Sequence, residues 1–134
     1  MSNINVETKT PKGPQITESL TPASTALTRG LAVIYTAGTD GQGASLQTTA
    51  GADVVGIVAE DAIAGLPVLV VSHGPTVAEI GAAVVAGNSL AVNAQGQLVP
   101  AASGNVVVAK ALSGNPNAGD FITVLVSGSY AVHP

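Results

Sequence analysis

The stretch that decides the fold is Gly65, followed closely by Val68-Leu69-Val70-Val71-Ser72-His73-Gly74. It is short, apolar, rich in β-branched residues and bounded by glycine, which is typical of a β-strand rather than a helix. A second stretch repeats the pattern, with Gly119 followed by Ile122-Thr123-Val124-Leu125-Val126-Ser127-Gly128. The two stretches predict an all-β chain in which one structural unit occurs twice.

Outward from these stretches, short apolar runs alternate with turn residues. They predict strands over residues 31–36, 54–59, 66–73, 76–80, 89–93, 97–99, 106–112 and 121–127, with 130–133 as a last edge strand. Ala94-Gln95-Gly96 predicts a hairpin turn. Segment 78–86 is ambiguous, because its alanines permit a short helix whereas Val84 and Val85 beside two glycines favour a strand.

Two further pairs of segments support a duplication. Leu31-Ala32-Val33 resembles Leu90-Ala91-Val92, and residues 55–59 resemble residues 106–109 in character. Two similar units of about 45 residues are expected to pair into one small β-barrel or β-sandwich, each covering the apolar face of the other. Residues 27–134 form this predicted β domain.

The first 26 residues have a different composition. They contain three prolines, many threonines and serines, and isolated apolar residues. Such a segment buries too little apolar surface to order itself, so residues 1–26 are predicted to form an extended or disordered N-terminal arm. Two interpretations stay open: a flexible terminus, or an arm whose Ile4-Asn5-Val6 alternation adds a strand to a partner's sheet.

The composition excludes several classes of function. The chain of 134 residues is 46% hydrophobic but only 2% aromatic and 9% charged, and it has no cysteine. Disulfides and thiolate metal sites are therefore impossible. With a net charge of −4 and no Lys or Arg between Arg29 and Lys110, we expect no nucleic-acid partner. The longest membrane candidate, residues 82–92, is short and interrupted, so no membrane partner is expected either.

No residue pattern predicts catalysis. The run from Gly38 to Gly43 has the glycine spacing of a phosphate loop but lacks the lysine, so it indicates a turn. His73 and His133 have no third histidine or cysteine to complete a metal site. Glu60 and Asp61 are adjacent and would point to opposite faces of a strand. We therefore predict no catalytic, cofactor or metal site and a protein that is not an enzyme.

Three aromatic residues remain. Phe121 begins an apolar strand and is predicted to lie in the core. Tyr130, which follows Gly128-Ser129, is a candidate oligomer-interface residue, since tyrosines often anchor interfaces. The alternative is a ring that lies on the surface of its own domain.

Two parts of the sequence resemble a known family. Three segments follow one another in the chain: Thr25-Ala26-Leu27, then Gly51-Ala52-Asp53-Val54-Val55-Gly56-Ile57-Val58-Ala59, then Ser72-His73-Gly74. Their order is similar to the order of motifs in lambda-type head decoration proteins of tailed bacteriophages. Residues 85–90 and 93–98 resemble a related group of capsid cement proteins. The resemblance spans most of residues 25–128 and departs from the pattern at His73 and Val107.

This resemblance implies a non-enzymatic virion protein, made in the bacterial cytoplasm and bound outside the expanded capsid. Such proteins sit between capsomers, often as homotrimers, and hold neighbouring copies of the major capsid protein together. On that basis Ile4, Val6, Ile16 and Leu20 of the arm are the predicted capsid-binding residues. A different structural β-module, either a phage fibre or tail protein or a cell-surface carbohydrate-binding module, is the alternative.

Overall fold

The structure, a computed structural model, describes residues 16–22, 26–36 and 43–133. Within these ranges the regular elements are all β-strands, which confirms the all-β prediction. The nine strands are β1 Ile16–Pro22, β2 Ala32–Thr36, β3 Gly43–Leu46, β4 Gly56–Val58, β5 Val68–Glu79, β6 Ser89–Val92, β7 Leu98–Pro100, β8 Val106–Ala111 and β9 Phe121–Val132.

Some strand predictions need correction. The predicted strands 66–73 and 76–80 are one strand, β5, and 121–127 and 130–133 are likewise one strand, β9. Segment 78–86 is neither a helix nor a continuous strand, because beyond the end of β5 only Ile80 and Val84 form isolated bridges. Strands β1 and β3 were not predicted. Ala94-Gln95-Gly96 does join two antiparallel strands, β6 and β7, as expected.

The first five strands close into a ring. β1 pairs in parallel with β3 and antiparallel with the first half of β5, while β3–β2, β2–β4 and β4–β5 are antiparallel pairs. The interior of this small barrel is one apolar cluster. Its buried members are Leu27, Val33, Ala44, Val58, Val68 and Val70. We call the described part of residues 16–73 unit 1.

The remaining strands repeat this arrangement. The second half of β5 pairs with β9, followed by β9–β8, β8–β6 and β6–β7, all antiparallel. A parallel bridge between Ile80 and Leu98 then returns β7 to the end of β5. Residues 74–132, called unit 2, thus reproduce the ring, with the second half of β5 in the place that β1 holds in unit 1.

The strand registers give the equivalent residues. Val33 lies opposite Gly56 as Leu90 lies opposite Ala109. The other matching pairs are Val58–Val70 with Ala111–Val124, Tyr35–Ala44 with Val92–Leu98, and Leu27–Ala62 with Val84–Asn115. The predicted duplication is therefore confirmed. Val70 and Val124 are equivalent as predicted, but the match of Leu31-Ala32-Val33 to Leu90-Ala91-Val92 is wrong by two residues.

Strand β5 bends where it passes from one unit to the other. Gly74 has a φ of 108°, a conformation that residues with a side chain rarely adopt. The side chains of Val68 and Val70 lie inside unit 1, and those of Thr76 and Ala78 are buried in unit 2. One strand therefore contributes to two barrels.

Part of the predicted arm belongs to this sheet. Residues 16–20 lie in β1 and pair with β5 from His73 back to Val68. Residues 1–15 and 23–25 lie outside the described residues. The arm's extent, with its boundary at residue 26, stays a prediction.

We predict that stability depends on the interiors of the units. Leu90→Ala removes a side chain that is fully buried in unit 2 and should lower the free energy of unfolding by about 2–5 kcal/mol. Leu66→Ala, which truncates the same residue type at 50% exposure, should change it by less than about 0.5 kcal/mol. Chemical denaturation of both variants provides the measurement, and equal losses would contradict the assigned core.

Candidate functional site

The acidic and histidine side chains are dispersed. Among the residues that the structure describes, no three His, Asp or Glu side chains group closely enough to hold a metal ion. His73 lies on β5 opposite Ile16, and His133 donates its backbone N–H to Asn105 O at 2.7 Å. The Asp61 carboxylate accepts the backbone N–H of Arg29 at 2.8 Å. This acid therefore helps to join two segments that are distant in the sequence, next to the bridge between Leu27 and Ala62.

The most connected polar group fixes a hairpin. Glu79 at the end of β5 accepts a hydrogen bond from Gln97 Nε2 at 2.5 Å, and Gln97 Oε1 accepts one from Asn93 Nδ2 at 3.1 Å. Asn93 Oδ1 also accepts the backbone N–H groups of Gln95 and Gln97, both at 2.9 Å. Because these bonds satisfy the side chains within the fold, their role is to hold the β6–β7 hairpin against β5.

The glycine-rich run that resembles a phosphate loop is only partly described. Residues 37–42 lie outside the described residues, and Gly43 begins β3. No helix follows β3 in the described chain, so the strand–loop–helix context that gives a phosphate loop its anion site is missing there. Among the described residues there is also no helix that is long and apolar enough to cross a membrane.

The predicted capsid-binding residues fall into two groups. Ile4 and Val6 lie outside the described residues, and their role stays a prediction. Ile16 and Leu20 lie in β1, where their backbones are paired opposite His73 and Val68. These two residues thus occupy positions in the domain's own sheet, and Ile4 and Val6 are the predicted anchors in the part of the arm that precedes β1.

The predicted interface residue Tyr130 lies in the last third of β9. This part of β9 pairs with the start of β8, through Val107–Ala131 and Val106–Val132, and a register irregularity separates it from the rest of the ladder. Tyr130 therefore lies in the part of β9 that extends beyond its pairing with β5. Its role in an oligomer stays a prediction.

The structure shows apolar side chains on the surface of unit 2. Phe121 and Leu125 are 45% and 40% exposed and flank Thr123 on the outer face of β9. The prediction that Phe121 lies in the core is therefore wrong: Ile122, Val124 and Val126 point inward, and the alternation along a strand puts Phe121 on the other side. The polar residue in this set, Thr123, was the sequence signal for the outward face.

The fold is similar to that of a phage protein. The crystal structure of the head fiber gp8.5 N base in bacteriophage phi29 matches with a TM-score of 0.69 and 17% sequence identity, over 90% of this chain and 100% of that chain. No family model matches the sequence, and no curated protein matches it. At this identity the likeness establishes a shared fold, and that fold extends over almost the whole chain.

The pairing of β1 generates a prediction about truncation. Deleting residues 2–13 leaves β1 complete and should leave the melting temperature within about 2 °C of the full-length value. Deleting residues 2–20 removes five positions that pair with β5, which opens the ring of unit 1 and should lower the melting temperature by more than about 8 °C. Circular dichroism melts provide the measurement. Equal melting temperatures for the two truncations would contradict a structural role of β1.

Proposed function

We propose that this chain is a structural protein of a bacteriophage head that binds the outer surface of the expanded capsid and stabilises contacts between capsomers. The observation that carries the proposal is the fold shared with a phage head fiber base over 100% of that chain. The motifs of residues 51–59 and 72–74, which resemble those of head decoration proteins, support the same assignment independently of the fold.

The chemistry of the surface is consistent with this role. A protein that binds many equivalent sites on a shell acts through contact area and repetition rather than through reactive groups. The described surface includes the apolar side chains Ile63, Val85 and Leu112, which are 63%, 68% and 49% exposed. An interface of about 800 Å² per partner is ordinary for stable complexes. The partner we propose is the major capsid protein, bound by a homotrimer of the β domain.

The arm is the second proposed contact. Ile4 and Val6 alternate with polar residues, the pattern of a segment that adds a strand to the edge of another sheet. A segment that orders on binding loses conformational entropy, which limits the affinity of each arm. Because many copies bind one shell, their contacts act together and compensate for the weak affinity of each arm.

A second candidate function is the base of a head fibre. This candidate is favoured because the structurally similar protein is a head fiber base. In this case the β domain would attach to the head, and a further segment or partner would project from it. The two functions differ in the number of copies per particle.

Copy number on the virion tests both candidates. We expect quantitative mass spectrometry of purified particles to find this chain at a large fraction of the copy number of the major capsid protein, which is what shell-wide stabilisation requires. A small number of copies per particle would contradict shell-wide stabilisation and support a role as the base of a head fibre. Absence from particles would overturn the virion proposal and favour a cell-surface module.

The arm contact is tested by substitution. Ile4→Asp and Val6→Asp should each weaken binding to expanded heads by about tenfold or more, because each loses about 1.5–3 kcal/mol of apolar burial. Asn5→Asp adds the same charge between them and is the matched control. Co-sedimentation of purified protein with heads that lack it gives the affinity. Equal binding by all three variants would contradict docking through Ile4 and Val6.

A further inference from the structure

The two units do not have equivalent surroundings. Unit 1 buries part of its outer surface beneath unit 2: Ala32, Val54, Ile57 and Val71 are buried and belong to the same hydrophobic cluster as the interior of unit 2. We call this surface, together with Gly30 and Gly51, the covered face of unit 1. It is the internal interface that joins the units.

The covered face is closely packed and hydrogen-bonded. A Cβ atom added at Gly30 would lie 2.7 Å from Phe121 Cε2 and 2.9 Å from Glu79 N, and one added at Gly51 would overlap the Asn105 side chain. Backbone bonds cross the same interface. They are Glu79 N–H to Gly30 O at 3.0 Å, Gly51 N–H to Val92 O at 2.8 Å, Val106 N–H to Gly51 O at 2.9 Å and Ala32 N–H to Gly96 O at 2.8 Å.

Unit 2 has the same face, and within the described residues no third unit covers it; Gly104 N–H bonds there to His133 O of the same unit's C-terminal end at 2.8 Å. The strand registers make Gly87, Ser89, Gly104, Val107, Lys110 and Leu125 the equivalents of Gly30, Ala32, Gly51, Val54, Ile57 and Val71. Lys110 and Leu125 are exposed, and Ser89 and Val107 are half-buried. A Cβ atom added at Gly87 or Gly104 would meet nothing within 4 Å. We call this surface the open face of unit 2.

Unit 1 carries the complementary surface. The residues of unit 2 at the internal interface include Val92, Asn105, Val106 and Phe121. Their equivalents in unit 1, by the same registers, are Tyr35, Ala52, Asp53 and Pro67. Tyr35 is 55% exposed, and Asp53 and Pro67 are exposed as well. Unit 1 of one copy therefore presents to solvent the surface that would cover the open face of unit 2 in another copy.

The charges on the two accessible surfaces match. At the internal interface Val106 packs against the cluster that contains Ile57. The equivalents of these two apolar residues are Asp53 and Lys110, which carry opposite charges and are both exposed. Two residues that share one apolar cluster inside the chain thus correspond, on the two accessible surfaces, to residues of opposite charge, and complementary charge of this kind favours the correct partner over other surfaces.

We propose that the open face of unit 2 binds unit 1 of a second copy of this chain, head to tail, with Lys110 beside Asp53 of that copy. Such a contact is heterologous: it uses two different surfaces and generates either a closed ring or a filament. It repeats between copies the arrangement that joins the units within one copy. The proposal depends on the internal repeat and not on the proposed role in a phage head.

Charge reversal tests this contact in the full-length protein. Sedimentation velocity over a concentration series should show self-association of the natural sequence. Lys110→Asp and Asp53→Lys should each weaken it by at least about tenfold, because each places like charges together, and the double variant should restore it. Glu60→Lys, an equal charge change at an exposed position outside both faces, should leave association unchanged. Leu125→Ser, which removes apolar area from the open face, should weaken it without changing charge.

Three outcomes would overturn the proposal. They are a chain that stays monomeric at all concentrations, association that neither charge reversal weakens, and a double variant that melts normally but does not reassociate. Head binding identifies the alternative partner. A monomeric chain whose binding to empty heads is lost in Lys110→Asp would assign the open face to the capsid protein instead of a second copy.

Discussion

The fold depends on the sharing of strand β5 between two barrels. Its first half pairs with β1 and β4, and its second half pairs with β9. A barrel of five short strands is closed only when each strand has a neighbour on both sides, and unpaired strand edges are exposed to solvent or to other chains. Because β5 completes unit 1 and begins unit 2, the loss of its pairing would open both rings.

Sharing one strand also fixes how the units contact each other. The strand leaves unit 1 at Gly74 and enters unit 2 within one residue, so unit 2 has little freedom to move away from the covered face. Ile57 and Val71 are then buried although they point out of their own barrel. The asymmetry between the two units follows from chain order, since unit 2 follows unit 1 and no third unit lies among the described residues.

The sequence predicted the parts of the fold that depend on local pattern. The β-branched runs of β5, β8 and β9 were identified, and the glycines at 65 and 119 aligned the repeats correctly. Strand β3, Gly43–Leu46, has little intrinsic strand preference and is a strand because β2 and β1 lie beside it. Leu-Ala-Val is a common tripeptide in a chain of this composition. Its recurrence at residues 31–33 and 90–92 therefore aligned the two repeats with an error of two residues.

The surfaces could not be predicted in the same way. Ile57 and Lys110 hold equivalent positions, but this relation appears only when the register of β4 with β5 is compared with that of β8 with β9. The prediction that Phe121 lies in the core was wrong because it did not use the alternation along the strand, in which the polar residue Thr123 marks the outward face that Phe121 shares. The candidate docking positions before residue 16 rest on sequence alone.

The contiguity of unit 1 has a consequence for biosynthesis. Its strands β1 to β4 and the first half of β5 lie before residue 74, so the first barrel can close on the ribosome while the second is still being translated, as domains commonly do. Until unit 2 emerges and folds, Ile57 and Val71 of that nascent barrel face solvent. During this interval the growing polypeptide presents an adhesive surface, and neighbouring ribosomes on one message would bring several such surfaces together.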